Sequence, residues 1–139
     1  MIHFGLNIGA RHISISTCGI ADKIRELAKL KFSCTLSVSL HYTDDETRSK
    51  IMPVNRKYNI EELLSACKYY EEETGKRISF EYALIKGLND SIEDAERLVR
   101  LIKNIKSHVN LIPINEIDIF SFEDSKTIIA LSYLNMKNI

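Results

Sequence analysis

The chain alternates short segments rich in β-branched residues with amphipathic segments of helical spacing, and this order restricts the folds open to it. Each connection between two successive strand-like segments contains a predicted helix. Strands connected in this way pair in parallel through right-handed crossovers, because a tight turn cannot join two parallel strands. The order therefore predicts an α/β fold. The four strand-like segments are residues 12–17, 34–40, 78–85 and 109–113.

Residues typical of helix ends support the helical segments. Asn59 precedes a predicted helix over residues 60–73, and Gly75 follows it as a stop. Ser91, with Asp94 three positions later, begins a second predicted helix that runs to residue 104. Two further helices are predicted, one from residue 20 onward with apolar residues at helical spacing and a short one after the acidic residues 44–46.

The size of the chain limits how such a sheet can close. At 139 residues, residues 1–139 are expected to form one domain, whereas a closed eight-stranded barrel takes about 250 residues. Four strands therefore predict an open sheet, an arc of a barrel, or a piece that needs a partner. If the chain is an arc, the sheet edge before residue 12 lacks its neighbour, and an exposed strand edge favours self-association. Residues 116–139 lose the order, with a loop and one further helix over 126–137 as the expectation.

Charge and cysteine content narrow the possible partners. Nineteen basic and nineteen acidic residues give a formal net charge of zero, so any RNA contact needs a local patch. No segment approaches the roughly 20 apolar residues of a membrane span, and the beginning of the chain does not resemble a leader, so a cytosolic protein without a membrane partner is expected. The spacing of Cys18, Cys34 and Cys67 matches no metal-binding or redox signature, which favours reduced, mostly buried thiols.

The carboxyl ends of the predicted strands carry polar residues. Ligands of parallel α/β folds bind at these ends, because the loops that leave them converge there. Hydroxyl, imidazole and carboxamide groups at one level could hydrogen-bond a ligand bearing ribose, amino and carboxylate groups. The alternative is that these residues only cap the helices that follow, and a lone histidine such as His41 is more often a hydrogen-bonded structural residue than a catalyst. The segments are 16–19, 39–41, 85–90 and 110–115.

Five blocks of sequence carry a family resemblance. In order they are GLNIGARHISISTCGI, VSLH, DDETRSKIMPVNRKY, ISFEYALIKGLNDS and HVNLIPIN, which together span residues 5–115. They resemble the radical S-adenosylmethionine (SAM) methyltransferases that methylate carbon 2 of adenine in ribosomal RNA and transfer RNA. Relatives that modify carbon 8 lack the full MPVNRKY block. The resemblance implies a partial (β/α) radical-SAM barrel and an RNA substrate.

The resemblance also implies a set of cofactor-binding residues. The serine after the first strand, the Ser-Leu-His after the second and the last asparagine of NLIPxN contact SAM in this family. The same positions in this chain are Ser16, Ser39, Leu40, His41 and Asn115. A separate local patch could contact RNA phosphates, although an ordinary solvated helix surface explains it equally well. That patch comprises Arg48, Lys50, Arg56 and Lys57.

Several parts of the family's machinery have no counterpart in this sequence. The family binds a [4Fe-4S] cluster through CxxxCxxC, and the three cysteines present do not have this spacing. A Gly-Glu SAM segment and the two cysteines that carry the methyl group and resolve the RNA crosslink are also absent. We therefore expect a truncated or separately expressed portion of the methyltransferase, inactive alone, with no catalytic residue and no metal ligand.

Two alternatives come from other classes. The chain could be a non-enzymatic RNA- or protein-binding remnant, or an inert truncated gene product that associates through its exposed sheet edge. It could also be a small α/β enzyme of unrelated chemistry that uses His41.

Overall fold

The computed structural model describes residues 12–32 and 34–114, and it confirms the predicted α/β fold. A 3₁₀ helix at Pro53–Arg56, which the sequence pattern does not predict, follows the second α-helix because proline cannot continue that helix. The elements in chain order are β1 (Ser14–Thr17), α1 (Ala21–Lys29), β2 (Thr35–Ser39), α2 (Asp45–Ile51), α3 (Ile60–Thr74), β3 (Ile78–Leu84), α4 (Ile92–Ile102) and β4 (Ser107–Pro113).

The four strands form one parallel sheet in the order β1-β2-β3-β4. Its register pairs Ser16 with Ser37, and it pairs Glu81 with Ser39 on one side and Asn110 on the other. β4 begins two residues before the predicted start, since Ser107 already pairs with Ile78. Within the described residues the sheet is open at β1 and β4, which agrees with the predicted arc of a barrel.

The predicted helix caps are confirmed. The Asn59 side chain accepts a hydrogen bond from the Glu62 N–H at 2.8 Å, and Gly75 ends α3 in the left-handed conformation with φ of 67°. Ser91 and Asp94 form a reciprocal capping box at the start of α4. Each such cap is worth about 1 kcal/mol, because it satisfies a backbone group that the helix itself leaves without a partner.

The hydrophobic core lies on one face of the sheet. Strand residues that point to this face pack with the apolar sides of α1, α3 and α4, and full burial of each large side chain contributes about 1.5–3 kcal/mol. The core therefore fixes the three long helices on the same side. Its members include Leu36, Val38, Ile78 and Phe80 from the strands and Ile24, Leu63, Tyr70 and Leu98 from the helices.

The opposite face of the sheet is polar, and we call it the polar face. Parallel sheets normally have apolar residues on both faces, because helices or a closed barrel cover them. On this face the Ser79 hydroxyl donates to one oxygen of Glu81 at 2.9 Å, and the Asn110 amide donates to the other at 2.6 Å. By strand alternation and register the polar residues of this face are Ser14, Ser16, Thr35, Ser37, Ser39, Ser79, Glu81, His108 and Asn110, and the apolar pair Ala83 and Ile112 follows at its carboxyl edge.

Two expectations concern parts of the chain for which the structure gives no account. Asn115 and the helix predicted over 126–137 lie outside the described residues. The prediction of one domain over residues 1–139 stays a prediction. No helix in the described ranges is both long and apolar enough to cross a membrane.

Candidate ligand site at the carboxyl edge of the sheet

Ser16, Ser39 and His41 lie together where β1 and β2 end. Ser16 pairs with Ser37, and Ser39 follows two residues later on the same face of the neighbouring strand. His41 comes directly after β2. Two hydroxyls and an imidazole therefore border the polar face at its carboxyl edge, as the strand-end pattern predicts.

The His41 ring is held against β3. Its Nδ1 accepts a hydrogen bond from the Ala83 N–H at 3.1 Å, while its own backbone N–H donates to the Glu81 carbonyl at 3.3 Å. Burial lowers the pKa of His41 and the nearby Arg48 cation lowers it further, whereas Glu81 acts in the opposite direction. Because its ordinary pKa is 6.5, His41 is a neutral imidazole at pH 7.

Leu40 differs from its two neighbours. Its side chain is 0% exposed and belongs to the core. Its N–H donates to the Glu81 carbonyl at 3.0 Å, and its carbonyl accepts from Arg48 Nε at 3.1 Å. Leu40 therefore has no side-chain group available to a ligand at the polar face, and it contributes there only through its backbone.

Arg48 differs from the other members of the predicted RNA patch because it is buried. It is 0% exposed, and Nη2 of its guanidinium donates to the carbonyls of Cys18 at 2.8 Å and Ser39 at 3.0 Å. Its Nη1 donates to Asn55 Oδ1 at 2.7 Å. An arginine enclosed in this way cannot reach a phosphate, because four of its five N–H groups bond to the protein and its side chain is fully buried. The helical pattern around Arg48 does not reveal that its side chain faces inward.

The other three residues of the predicted patch are exposed. Lys50 Nζ lies 2.7 Å from Glu46 Oε1, and this ion pair raises the pKa of Lys50. Lys57 Nζ lies 4.9 Å from the centre of the Tyr58 ring. Arg56 forms no ion pair with any acidic residue in the described part of the chain. Arg56 and Lys57 are therefore the members best able to meet an anion.

Asn89 is a site residue that the sequence analysis did not single out. Its side chain is 3% exposed, and its Nδ2 donates to the carbonyls of His41 at 2.8 Å and Ala83 at 2.7 Å. Its Oδ1 accepts from the Ile85 N–H at 2.7 Å. Its sequence signals are its place in the strand-end segment 85–90 and in the Gly-Leu-Asn-Asp turn, where asparagine commonly bonds to its own local backbone.

The cysteines do not form a ligand set for an iron–sulfur cluster. Cys18 is exposed, whereas Cys34, directly before β2, and Cys67, in α3, are buried. Burial raises the pKa of the Cys67 thiol to about 12, so the thiolate needed to bind iron is strongly disfavoured there. No group of three potential metal ligands occurs among residues 12–32 and 34–114. The described residues thus do not fit a [4Fe-4S] cluster.

An open arc of parallel strands, with helices on one face and polar groups at the carboxyl edge of the other, is the architecture of part of a (β/α) barrel. Comparison with known families makes this specific. The chain belongs to the radical SAM superfamily, whose family model matches residues 2–106.

Individual relatives are much longer than this chain. It is 52% identical over 132 residues to a protein of Clostridium perfringens described as a probable dual-specificity RNA methyltransferase RlmN. The corresponding Clostridium novyi protein is 54% identical over 122 residues. These matches cover 95% and 88% of this chain, but the chain spans only 38% and 36% of those relatives.

A solved structure also matches this chain over only part of its own length. The crystal structure of a radical SAM methyltransferase from Sphaerobacter thermophilus superposes with a TM-score of 0.86 at 44% identity. The match covers 97% of this chain and 40% of that protein. Fold and sequence therefore agree on the family.

Proposed function

We propose that this chain forms one wall of the SAM pocket of a cytoplasmic radical SAM methyltransferase that methylates carbon 2 of adenine in ribosomal RNA and transfer RNA. The observation that carries the proposal is the joint position of Ser16, Ser39 and His41 at the carboxyl edge of the polar face. The relatives described as dual-specificity RNA methyltransferases support the substrate class.

The available groups suit SAM, which when bound supplies the methyl group for transfer. Hydroxyls of Ser16 and Ser39 can both donate and accept, as ribose hydroxyls require. The Nε2 of His41 faces no partner among the described side chains and can donate to a carboxylate. Asn115 would extend this set. Because the described thiols do not fit the cluster, we assign this chain binding roles and no catalytic residue.

Calorimetric titration of the purified chain with SAM tests the pocket. We expect Ser39→Ala and His41→Ala each to weaken binding roughly fivefold, since one hydrogen bond is worth about 1 kcal/mol. Ser14→Ala is the matched control, because Ser14 lies on the polar face but at the opposite end of β1. Equal affinity of all three variants, or no binding to the wild-type chain, would contradict the proposal.

Arg56 and Lys57 favour a second, separable role in contacting RNA phosphates. Both are exposed beside the carboxyl edge: Arg56 ends the short 3₁₀ segment that follows α2, and Lys57 comes directly after it. We expect transfer RNA binding whose salt slope falls by about one for each removed phosphate contact, so Arg56→Ala with Lys57→Ala should reduce the slope by roughly two. The control is Lys103→Ala, an exposed residue at the end of α4.

The RNA titration also separates the proposal from a binding-only remnant. A chain that binds RNA in this salt-dependent manner but not SAM would be an RNA-binding protein rather than part of a methyltransferase. If the double substitution leaves the salt slope unchanged, Arg56 and Lys57 do not contact RNA phosphates.

A further inference from the structure

We propose that Arg48 and Asn89 are positioning residues that fix residues 39–41 and hold His41 with its proton on Nε2, directed to the ligand. This inference rests on the proposed SAM pocket for the identity of the ligand. The arrangement of the protein groups stands independently of that identity.

The side chains of Arg48 and Asn89 donate hydrogen bonds to three consecutive backbone carbonyl groups. Arg48 donates to the carbonyls of Ser39 at 3.0 Å and Leu40 at 3.1 Å, and Asn89 donates to that of His41 at 2.8 Å. A peptide plane cannot turn without breaking the bond its carbonyl makes. The backbone that presents Ser39 and His41 therefore has one arrangement.

Arg48 is itself rigidly held. Asn55, which accepts from its Nη1, donates to Asp45 Oδ1 at 2.8 Å and to Ser49 Oγ at 2.9 Å. The guanidinium also reaches the Cys18 carbonyl at 2.8 Å, so it ties the end of β1 to the end of β2. A lysine could not replace this, because an ammonium lacks the planar fork that reaches several acceptors at once.

The backbone of His41 needs such support. Its φ of 58° lies in the left-handed region, which costs a non-glycine residue on the order of 1–3 kcal/mol. Asn89 offsets that cost by bonding the His41 and Ala83 carbonyls with one amide group. The same amide thus fixes the distance between His41 and the strand to which its ring bonds.

The ring orientation determines where the proton lies. Since the Ala83 N–H donates to Nδ1, that nitrogen holds a lone pair and the proton of the neutral imidazole is on Nε2. The lowered pKa of His41 agrees with a neutral ring. His41 is then a hydrogen-bond donor to its ligand, and a loosened ring would exchange its proton between both nitrogens.

Long-range ¹⁵N–¹H correlation spectra of the histidine-labelled chain test the inference. The chain has four histidines, and the His41 signals are assigned by their loss in His41→Asn. We expect the wild-type spectrum to show the Nε2–H form alone, and Asn89→Ala to show both forms and to weaken SAM binding at least threefold.

Tyr70→Phe is the control for a purely structural effect. It removes buried hydrogen bonds to the Phe32 and Cys34 carbonyls at the other end of β2, and it should leave the His41 spectrum and SAM affinity unchanged. Arg48→Lys keeps the charge and should shift the His41 signals as Asn89→Ala does. If Asn89→Ala does not fold, Arg48→Lys carries the test.

Two outcomes would overturn the inference. One is a wild-type His41 with its proton on Nδ1 or exchanging between nitrogens, and the other is a pure Nε2–H form in both variants. Failure of the proposed function can be distinguished from failure of this inference. If the wild-type chain shows the Nε2–H form and responds to Asn89→Ala but does not bind SAM, then SAM is refuted as the ligand and the positioning role stands.

Discussion

At the residue scale, the candidate site depends on polar side chains that the solvent does not reach. Arg48 is charged and 0% exposed, yet its partners are carbonyl and carboxamide oxygens rather than a carboxylate. A buried charge costs several kcal/mol unless most of its donors are satisfied. Four of the five donors of the guanidinium are satisfied in this way, so Arg48 connects two strand ends without a direct hydrogen bond to a carboxylate, although the charge of Asp45 acts on it.

His41 predicts a pH dependence of stability. In the unfolded chain it titrates near its ordinary pKa of 6.5, whereas in the folded chain burial and Arg48 lower the pKa despite the opposing charge of Glu81. As the pH falls through 6.5, the unfolded chain binds a proton that the folded chain does not, so stability falls. Above about pH 7.5 both states are neutral and the contribution is constant.

Urea unfolding at a series of pH values measures this effect. His41→Asn is the comparison, because asparagine tolerates the left-handed conformation and does not titrate. The wild-type chain should lose more stability than the variant between about pH 7.5 and 5.5. Parallel curves for the two proteins would show that the pKa of His41 does not change on folding.

The sequence pattern identifies some site residues and misses others for a physical reason. The shared edge position of Ser16, Ser39 and His41 was predictable because strand alternation and parallel topology place strand ends at one edge, while their binding role stays a prediction. Arg48 was assigned to the surface, and Asn89 was not singled out. Their partners lie up to 30 and 48 positions away, so no local pattern encodes those bonds.

At the element scale, Gly75 and Gly19 both have positive φ but differ in their surroundings. Gly75 has φ of 67° and no atom within 4 Å of an added Cβ. Gly19, between β1 and α1, has φ of 114°, and a Cβ there would lie 3.0 Å from Leu63 Cδ2 and 3.1 Å from Arg48 Nη2. Only Gly19 is restricted both by conformation and by space.

Alanine substitution should separate the two effects. Gly75→Ala is expected to cost about 1–2 kcal/mol from backbone strain alone. Gly19→Ala should cost clearly more, because it also pushes on the core and on the guanidinium that holds the strand ends. Chemical denaturation of both variants measures the difference, and equal losses would mean that the space around Gly19 relaxes without cost.

Element types were largely predictable, whereas their exact ends were not. The caps at Asn59 and Ser91 are local signals and were confirmed. The start of β4 was misplaced, because Ser107 and His108 become strand residues only through pairing with β3. The 3₁₀ helix after α2 was missed since its hydrogen bonds are short-range and leave no periodic pattern.

At the scale of the whole molecule, the sheet has open edges at β1 and β4 in the part of the chain that the structure describes. Exposed edges pair with other chains, so we propose concentration-dependent self-association. A lysine on the polar face of an edge strand opposes such pairing. Ser14→Lys on β1 should therefore reduce the association measured by sedimentation velocity.

Thr35→Lys is the matched control for this test. Thr35 is the register partner of Ser14 on the same face, but β2 lies inside the sheet and has neighbours on both sides. Thr35→Lys adds the same charge as Ser14→Lys, but on a strand that is not at the sheet edge. Equal effects of both variants would point to charge repulsion across the polar face rather than to edge pairing.

The separation of Arg48 and Asn89 along the chain has a consequence for synthesis on the ribosome. Arg48 bonds to residues made 8 to 30 positions earlier, so β1 and β2 can be joined once α2 has emerged. His41 must wait for Asn89, 48 positions later. In a nascent chain halted between these points, Arg48 can already join the first two strand ends, but the amide that fixes the His41 carbonyl has not yet been made.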